Sequence, residues 1–415
     1  MSKTITLTQG KRENRGAGPC ALPPGRVGGS REAAGSPAGA GSYGFLARRA
    51  SSSQPDGFSL GRFAGGRPAL LLAILLALLV GGCGAPAAGS KLEMAPAPTP
   101  APVPPRPVVL PADEAAHDNL SEWWYYTGHL RTESGEEYGF ELVFFQGVRG
   151  QNPVGYAAHF AITDHQQGSF SYDEKVDRTL RVQGEGQYRL AVGDWKMGGE
   201  GDDHYLRAQG QGYAVDLKLH STKPPALHNG IGWLSFGSVG DSYYYSRTRM
   251  ELQGVLQANG VSERVTGLAW MDHQWGDFIL VNGGGWDWYG LQLGDGTEVM
   301  VTLLRDQPGN VAAVYGSYVD REGRVTDLKA GDLELRATGS WRSPRSGATY
   351  PSGWRLRLPG QGIELTLEPV LRDQELNVAR STGVSYWEGE VQVSGTRGGA
   401  SLPGEGYVEL TGYAR

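Results

Sequence analysis

Along most of the chain apolar positions alternate with polar ones, in short runs separated by Gly, Asn, Asp and Ser. A period of two marks a half-buried strand, and after Pro111 almost no stretch carries the 3.6-residue period of an amphipathic helix. The pattern predicts strands over 123–130, 138–146 and 155–163, with Ser134-Gly135 turning the first into the second. Over 213–220, Val215, Leu217 and Leu219 alternate against polar neighbours. Strands over 243–257 and 262–270 flank Asn259-Gly260, a dipeptide suited to a two-residue hairpin because both residues tolerate positive φ.

The pattern then restarts. Segments 289–292 and 299–304 surround Asp295-Gly296, and short strands are predicted over 311–319, 333–337, 353–358, 363–367, 386–393 and 407–412. Such spacing without crossover helices argues for antiparallel barrels or sandwiches. The expectation is an all-β chain of two consecutive barrels of about eight to ten strands each, over residues 111–277 and 278–415.

The first third of the chain reads differently. Residues 1–66 are rich in Gly, Ala, Ser and Arg with no lasting hydrophobic period, which predicts a disordered preamble from an over-extended start. In segment 67–83 a short apolar run follows Arg62 and Arg67 and ends in Gly81-Gly82-Cys83. The run falls short of the roughly 20 residues that cross a bilayer, and its order of basic, apolar and small residues predicts an export signal. It resembles a bacterial lipoprotein signal, in which Cys83 is lipidated. Residues 84–110 form a Pro- and Ala-rich linker whose alternating prolines impose extended geometry. The expectation is therefore an extracytoplasmic lipoprotein, joined to the membrane by a lipid anchor at the bacterial cell surface or in the periplasm.

Charge and cysteine content narrow the chemistry. Ten of the 38 Lys and Arg and three of the 44 Asp and Glu precede Cys83, leaving a net charge of −13 on the rest. That acidic body offers no basic footprint for nucleic acid. The two cysteines are Cys20 and Cys83, so the predicted barrels contain no disulfide, thiolate metal site or Cys nucleophile. Nucleophile-elbow, His-Glu-x-x-His and phosphate-loop motifs are absent. His117, His129 and His159 lie on or beside the first strands, but their spacing matches no metal-ligand pattern.

Candidate chemistry concentrates at the predicted barrel border. Residues 267–277 bring together Trp270, Asp272, His273, Trp275 and Asp277; Trp286, Asp287, Trp288 and Tyr289 follow closely. Aromatic walls holding acid–base groups suit a pocket for a large apolar ligand, and such pockets favour domain junctions. The segment 271–277 is too polar for a plain core strand and is expected to break the alternation. Earlier, Trp123 and Tyr125 are expected on one strand face, with Trp124 and Tyr126 on the other and Glu122 as an acid at the rim. In 242–250, Tyr243 and Tyr245 share a face, as do Arg247 and Arg249. A buried Arg there needs a carboxylate, for which Asp272 and Asp277 are candidates.

Six stretches in order resemble the AttH-like / carotenoid 1,2-hydratase family. They are Ser-Glu-Trp-Trp-Tyr-Tyr-Thr-Gly (121–128), Tyr-Tyr-Tyr-Ser-Arg-Thr (243–248), Gly-Leu-Ala-Trp-Met-Asp-His-Gln-Trp-Gly (267–276), Trp-Asp-Trp (286–288), Ser-Pro (343–344) with Tyr-Pro-Ser-Gly-Trp (350–354), and Tyr-Trp-Glu-Gly (386–389). The resemblance implies two lipocalin-like barrels and a hydratase that adds water to a terminal carotenoid double bond, with neither metal nor organic cofactor. An acid protonates the alkene, aromatic faces steady the carbocation, and water adds. The implied catalytic residues are Asp272 or Asp287 with His273. The residues that could supply the aromatic faces are Trp270, Trp275, Trp286, Trp288 and Tyr289, and the strand pattern adds Trp123, Tyr125, Tyr245 and Arg247 as candidate ligand-binding residues. The partner is a hydrophobic small molecule, an isoprenoid or other lipid; a non-catalytic carrier and a secreted hydrolase are the alternatives.

Overall fold

A computed structural model of the chain describes residues 105–147, 155–177, 188–236, 240–277, 284–307 and 309–414. The predicted preamble, the predicted export signal with Cys83 and the predicted linker as far as residue 104 lie outside the described residues.

The first sheet contains β1 (Ser121–Thr132), β2 (Glu137–Gly147), β3 (Gly155–Asp164), β4 (Ser169–Asp177), β5 (Tyr188–Val192) and β6 (Trp195–Glu200). It continues with β7 (Asp203–Gly210), β8 (Tyr213–Ser221), the short β9 (Ala226–Leu227) and β10 (Trp233–Ser235), β11 (Asp241–Ala258) and β12 (Val261–Gly276). All pairings are antiparallel, in the order β4-β3-β2-β1-β12-β11-β8-β7-β6-β5, with β9 and β10 both on β11. The β11–β12 hairpin turns at Asn259 (φ 51°) and Gly260 (φ 87°), the left-handed pair that this tight turn requires.

The second sheet begins with β13 (Gly285–Leu293), β14 (Glu298–Arg305), β15 (Val311–Val319), β16 (Val325–Lys329) and β17 (Glu334–Ala337). A separate ribbon of β18 (Ser340–Arg342) and β19 (Thr349–Pro351) interrupts it. Then come β20 (Trp354–Leu358), β21 (Ile363–Pro369), β22 (Glu375–Val378), β23 (Val384–Arg397), β24 (Ala400–Ser401) and β25 (Gly404–Leu410). Its order is β16-β15-β14-β13-β25-β23-β21-β20-β17, with β22 and β24 on β23. Each sheet curls into a nearly closed barrel, giving tandem lipocalin-like domains. The sheets hold twelve and eleven strands, more than the eight to ten expected, because several pieces of two to five residues complete them.

The two barrels repeat one plan: in each, the first strand pairs with both the second and the last. The registers correspond as well. Tyr125 lies opposite Asp272 across β1 and β12, and Trp288 lies opposite Glu409 across β13 and β25.

Each barrel has its own apolar core. Trp124, Tyr126, Phe140, Met271 and Trp275 belong to the first; Tyr289, Leu291, Trp354, Trp387 and Val408 belong to the second. A third cluster, built from Tyr125, Val143, Leu234, Tyr244, Trp270, Trp288, Met300 and Tyr407, joins the outer faces of the two barrels. Strands with dry faces on both sides carry this seam, which is why β2 is buried along most of its length. Gly139 permits one close approach: a Cβ there would stand 2.3 Å from Tyr407 Oη and 2.4 Å from Glu390 Oε2 of the second barrel.

Candidate active site between the barrels

Strand geometry decides which polar side chains meet. The alternation does not break at 271–277, since β12 runs regularly through Gly276 and pairs on both edges. Met271 and Trp275 join the first barrel's core and His273 packs among its aromatics, whereas Trp270, Asp272 and Gln274 face the seam. The same logic in β13 sends Trp286 and Trp288 to the seam and Asp287 and Tyr289 to the other face.

In the seam lies a cavity of about 70 Å³ lined by Trp123, Tyr125, Val143, Phe145, Phe236, Tyr244, Gln274, Trp286, Trp288, Thr302, Leu304 and Tyr315. Three carboxyl groups, those of Glu141, Asp272 and Glu409, share its wall. Trp123 and Trp286, one from each barrel, lie nearly parallel with centroids 6.3 Å apart, and Tyr125 meets Trp288 edge-on at 5.3 Å. Since one water takes roughly 10–15 Å³ on this scale, the space admits a few small groups, such as the end of an extended apolar molecule.

The carboxyls differ in how they are held. Asp272 accepts from Ser246 Oγ (2.5 Å), Tyr244 Oη (2.6 Å) and Trp270 Nε1 (2.7 Å). Burial pushes its pKa up to about 6, and the three donors limit the rise. Glu409 accepts from Trp286 Nε1 at 2.6 Å and is pushed by burial to about 7. Glu141 Oε1 lies 2.8 Å from Tyr386 Oη, and its Oε2 is buried without a hydrogen-bond partner. Burial carries Glu141 to about 8, with the charge of Glu409 adding to the rise. Behind them Glu388 accepts from Tyr125 Oη at 2.7 Å, and burial followed by the charge of Glu141 pushes it well above the usual range.

A residues 101–413 match to the AttH-like family profile spans most of the chain. The chain belongs to the AttH-like family. The crystal structure of a putative AttH from Nitrosomonas europaea is 32% identical, with a TM-score of 0.68, covering 75% of this chain and 98% of that one. Kievitone hydratase from Nectria haematococca is 18% identical, with a TM-score of 0.60 and coverage of 74% and 93%, and so shares the fold. No curated protein sequence matches the chain.

In this AttH-like protein, Trp123, Tyr125, Trp270, Asp272, Trp286 and Trp288 thus meet at the seam. The remaining candidates lie elsewhere. His273 Nε2 is 2.7 Å from Glu122 Oε1 inside the first barrel, where His117 Nδ1 also contacts that oxygen at 2.8 Å. Glu122 is therefore a buried partner of two imidazoles rather than a rim acid; Gln146 and the His117 amide donate to its other oxygen. Trp275 stacks on His117 at 4.1 Å, and Tyr245 contacts both His273 and Trp275. Among the described residues, the His117, Glu122 and His273 donor atoms lie within 4.8 Å of one another and form the cluster best placed to hold a metal. The contacts just described already engage them with each other. His129 and His159 are not part of it: they meet Glu390 and Tyr386 separately.

Asp287 pairs with Arg305 Nε at 2.9 Å and accepts from Tyr413, while Tyr289 packs on Trp354 in the second core. Arg247 pairs with Glu114 (2.6 Å) and Asp202 (2.7 Å), not with Asp272 or Asp277. Arg249 pairs with Glu298 of the second barrel at 2.6 Å. The two arginines do not share a face because the β11–β12 register shifts between Arg247 and Met250, a bulge that re-aims the side chains.

Glu141, Tyr244, Gln274, Glu409 and the supporting Glu388 and Tyr386 were not among the sequence candidates. One signal pointed to the acids: Glu141 sits in Tyr-Gly-Phe-Glu-Leu-Val-Phe-Phe and Glu409 in Tyr-Val-Glu-Leu. A lone carboxylate in an apolar strand is expensive to bury and calls for a use or a partner.

Proposed function

We propose that this protein is a hydratase that adds water to a carbon–carbon double bond at the end of an apolar isoprenoid or lipid-like molecule, in the cavity between its barrels. The observation that carries the reading is the unpartnered Oε2 of Glu141, on a carboxyl that stays protonated near neutral pH in an aromatic-lined cavity. Environments that push neighbouring carboxyls to different pKa values separate an acid from a base. Glu141 is the acid, and Asp272, held by three donors, is the base.

In the first step the Glu141 proton passes to one alkene carbon, the π electrons form the new C–H bond, and the neighbouring carbon becomes cationic. The faces of Trp123, Trp286 and Trp288 steady that charge, each by roughly 0.5–2 kcal/mol. Water then forms the C–O bond and gives its proton to Asp272. Sharing a fold with an enzyme named as a hydratase supports this class of reaction. The export signal read from 67–83 supports an extracytoplasmic protein tethered through Cys83, which places the cleft near membrane-borne apolar molecules.

The test is incubation with a panel of isoprenoid alkenes in ¹⁸O-labelled water, with mass spectrometry of the products. Incorporation of labelled water by the wild type and its loss in both Glu141→Gln and Asp272→Asn is the expected result. Full activity in Glu141→Gln would overturn the acid assignment. The complete hydrogen bonding of Asp272 favours a second reading, a carrier whose acids only order the cavity. In that case the panel binds, Trp288→Ala weakens binding, and no label is incorporated.

A further inference from the structure

Glu141 is the inner end of a row of hydrogen bonds that leads out of the cavity. Its Oε1 lies 2.8 Å from Tyr386 Oη, which lies 2.7 Å from His159 Nδ1. His159 Nε2 is 2.9 Å from Ser381 Oγ, and Ser381 Oγ is 2.5 Å from Glu174 Oε2. Glu174 Oε1 accepts from Arg380 Nε at 2.9 Å, and the Arg380 side chain is 75% exposed. The row crosses the seam at each of its four links, since Glu141, His159 and Glu174 belong to the first barrel and Tyr386 and Ser381 to the second.

We infer that this row is a proton relay that reloads Glu141 from solvent after each proton transfer to substrate. The inference rests on the reading of Glu141 as the acid. Two complete donor–acceptor arrangements fit the same heavy atoms. With Glu141 protonated, it donates to Tyr386, Tyr386 to Nδ1 of His159, Nε2–H of His159 to Ser381, and Ser381 to the Glu174 carboxylate. When Glu141 has given its proton away, Tyr386 donates to Glu141, Nδ1–H to Tyr386, Ser381 to Nε2, and a newly protonated Glu174 to Ser381.

Passing from the second arrangement to the first moves one proton across each link. One proton enters at Glu174 from water, one arrives on Oε1 of Glu141, and the three groups between end as neutral as they began; a half-turn of the carboxyl about its Cγ–Cδ bond then carries that proton from Tyr386 to the unpartnered side. His159 only exchanges tautomers, in keeping with a burial that drives its pKa down to about 3 and keeps the ring uncharged. Ser381 is also held by its own amide, which donates to Glu174 Oε2 at 2.8 Å, so its hydroxyl stays in line between ring and carboxylate.

The experiment needs no substrate. Infrared spectroscopy of the full-length protein, mixed rapidly from H2O into D2O, follows the carbonyl stretch of the protonated Glu141 carboxyl, identified as the band missing in Glu141→Gln. A positioned proton donor is typically worth ~10²-fold or more in transfer rate, so Ser381→Ala and His159→Gln are expected to slow deuteration of that band by at least about tenfold. Ser381→Thr, which keeps the hydroxyl, restores the rate. His159→Gln retains polar atoms on both sides but cannot exchange tautomers, so a purely structural bridge predicts no slowing there. Should that buried substitution prevent folding, Ser381→Ala, in the segment before β23, carries the test alone. Unchanged exchange in Ser381→Ala overturns the relay and leaves the acid standing. If Glu141→Gln removes no protonated-carboxyl band, Glu141 is ionised and the acid reading fails with it.

Discussion

Replacing Asp272 by Asn tests the electrostatics of the seam without disturbing its packing. The amide fits the same space: Oδ1 keeps the donors Ser246 and Trp270, and Nδ2 donates to Tyr244 Oη, which also accepts from Trp288 at 3.1 Å; the Tyr244 O–H loses its acceptor, a cost that is the same at every pH. In the wild type the folded state holds the Asp272 proton more tightly than the unfolded chain does, about 6 against 3.8. A raised carboxyl pKa therefore contributes a loss of stability that begins as pH rises through 3.8 and is complete above about 6. At about 1.4 kcal/mol per tenfold change in proton affinity, the full loss is ~3 kcal/mol, of which ~2 kcal/mol falls between pH 4 and pH 7.5. Urea unfolding of wild type and Asp272→Asn at those two pH values isolates this contribution, because buried acids common to both largely cancel. The variant is expected to gain ~2 kcal/mol on the wild type at pH 7.5 relative to pH 4. Parallel stability–pH curves for the two proteins would refute the reasoning and show that folding does not raise the proton affinity of Asp272.

Glu298 is fully buried between Lys223 Nζ (2.7 Å) and Arg249 Nε (2.6 Å). Glu298→Gln leaves two cations without a counter-charge and should lower the unfolding free energy by ~3–5 kcal/mol in denaturant titrations. Gly139→Ala drives a methyl into Tyr407 and Glu390 and is expected to cost ~1–3 kcal/mol, seen as loosening of the barrels by limited proteolysis while each core persists. His129 and His165 flank Glu390 at 2.7 Å each. Burial alone would lower both rings, but Glu405 and Glu390 around His129, and Glu390 and Glu137 around His165, carry them above 6.5. Their stabilisation is complete below pH 6.5 and fades as pH rises through the raised values, so His165→Gln should flatten the fall in melting temperature above pH 6.5.

Antiparallel strands with one wet face announce themselves by alternation, and so the tandem all-β plan was legible in β8, β11 and β12 before any coordinates. The seam strands conceal their faces because both are dry: β12 is buried from Ala269 through Gly276, and its two inward populations cannot be separated by hydrophobicity. Asp272 and His273 are neighbours in sequence and look like one site, yet a strand points them into different compartments. The bulge that separates Arg247 from Arg249 has no mark in residue type. Glu141 had a legible signal, an acid among aromatics, but its meaning depends on Glu409 and Glu388, more than 200 residues away, which only the docked barrels bring together.

The matching registers of Tyr125 with Asp272 and Trp288 with Glu409 have a consequence for division of labour. Two separate, identical barrels meeting about a two-fold axis would have to present the same side chain at corresponding places, so any acid would face a copy of itself. Joined in one chain, the halves are free to differ. The aspartate position keeps three donors in one half, and its counterpart in the other is a glutamate with a single indole. A symmetric cradle has thereby become a directional one, with a front and a back for whatever enters it.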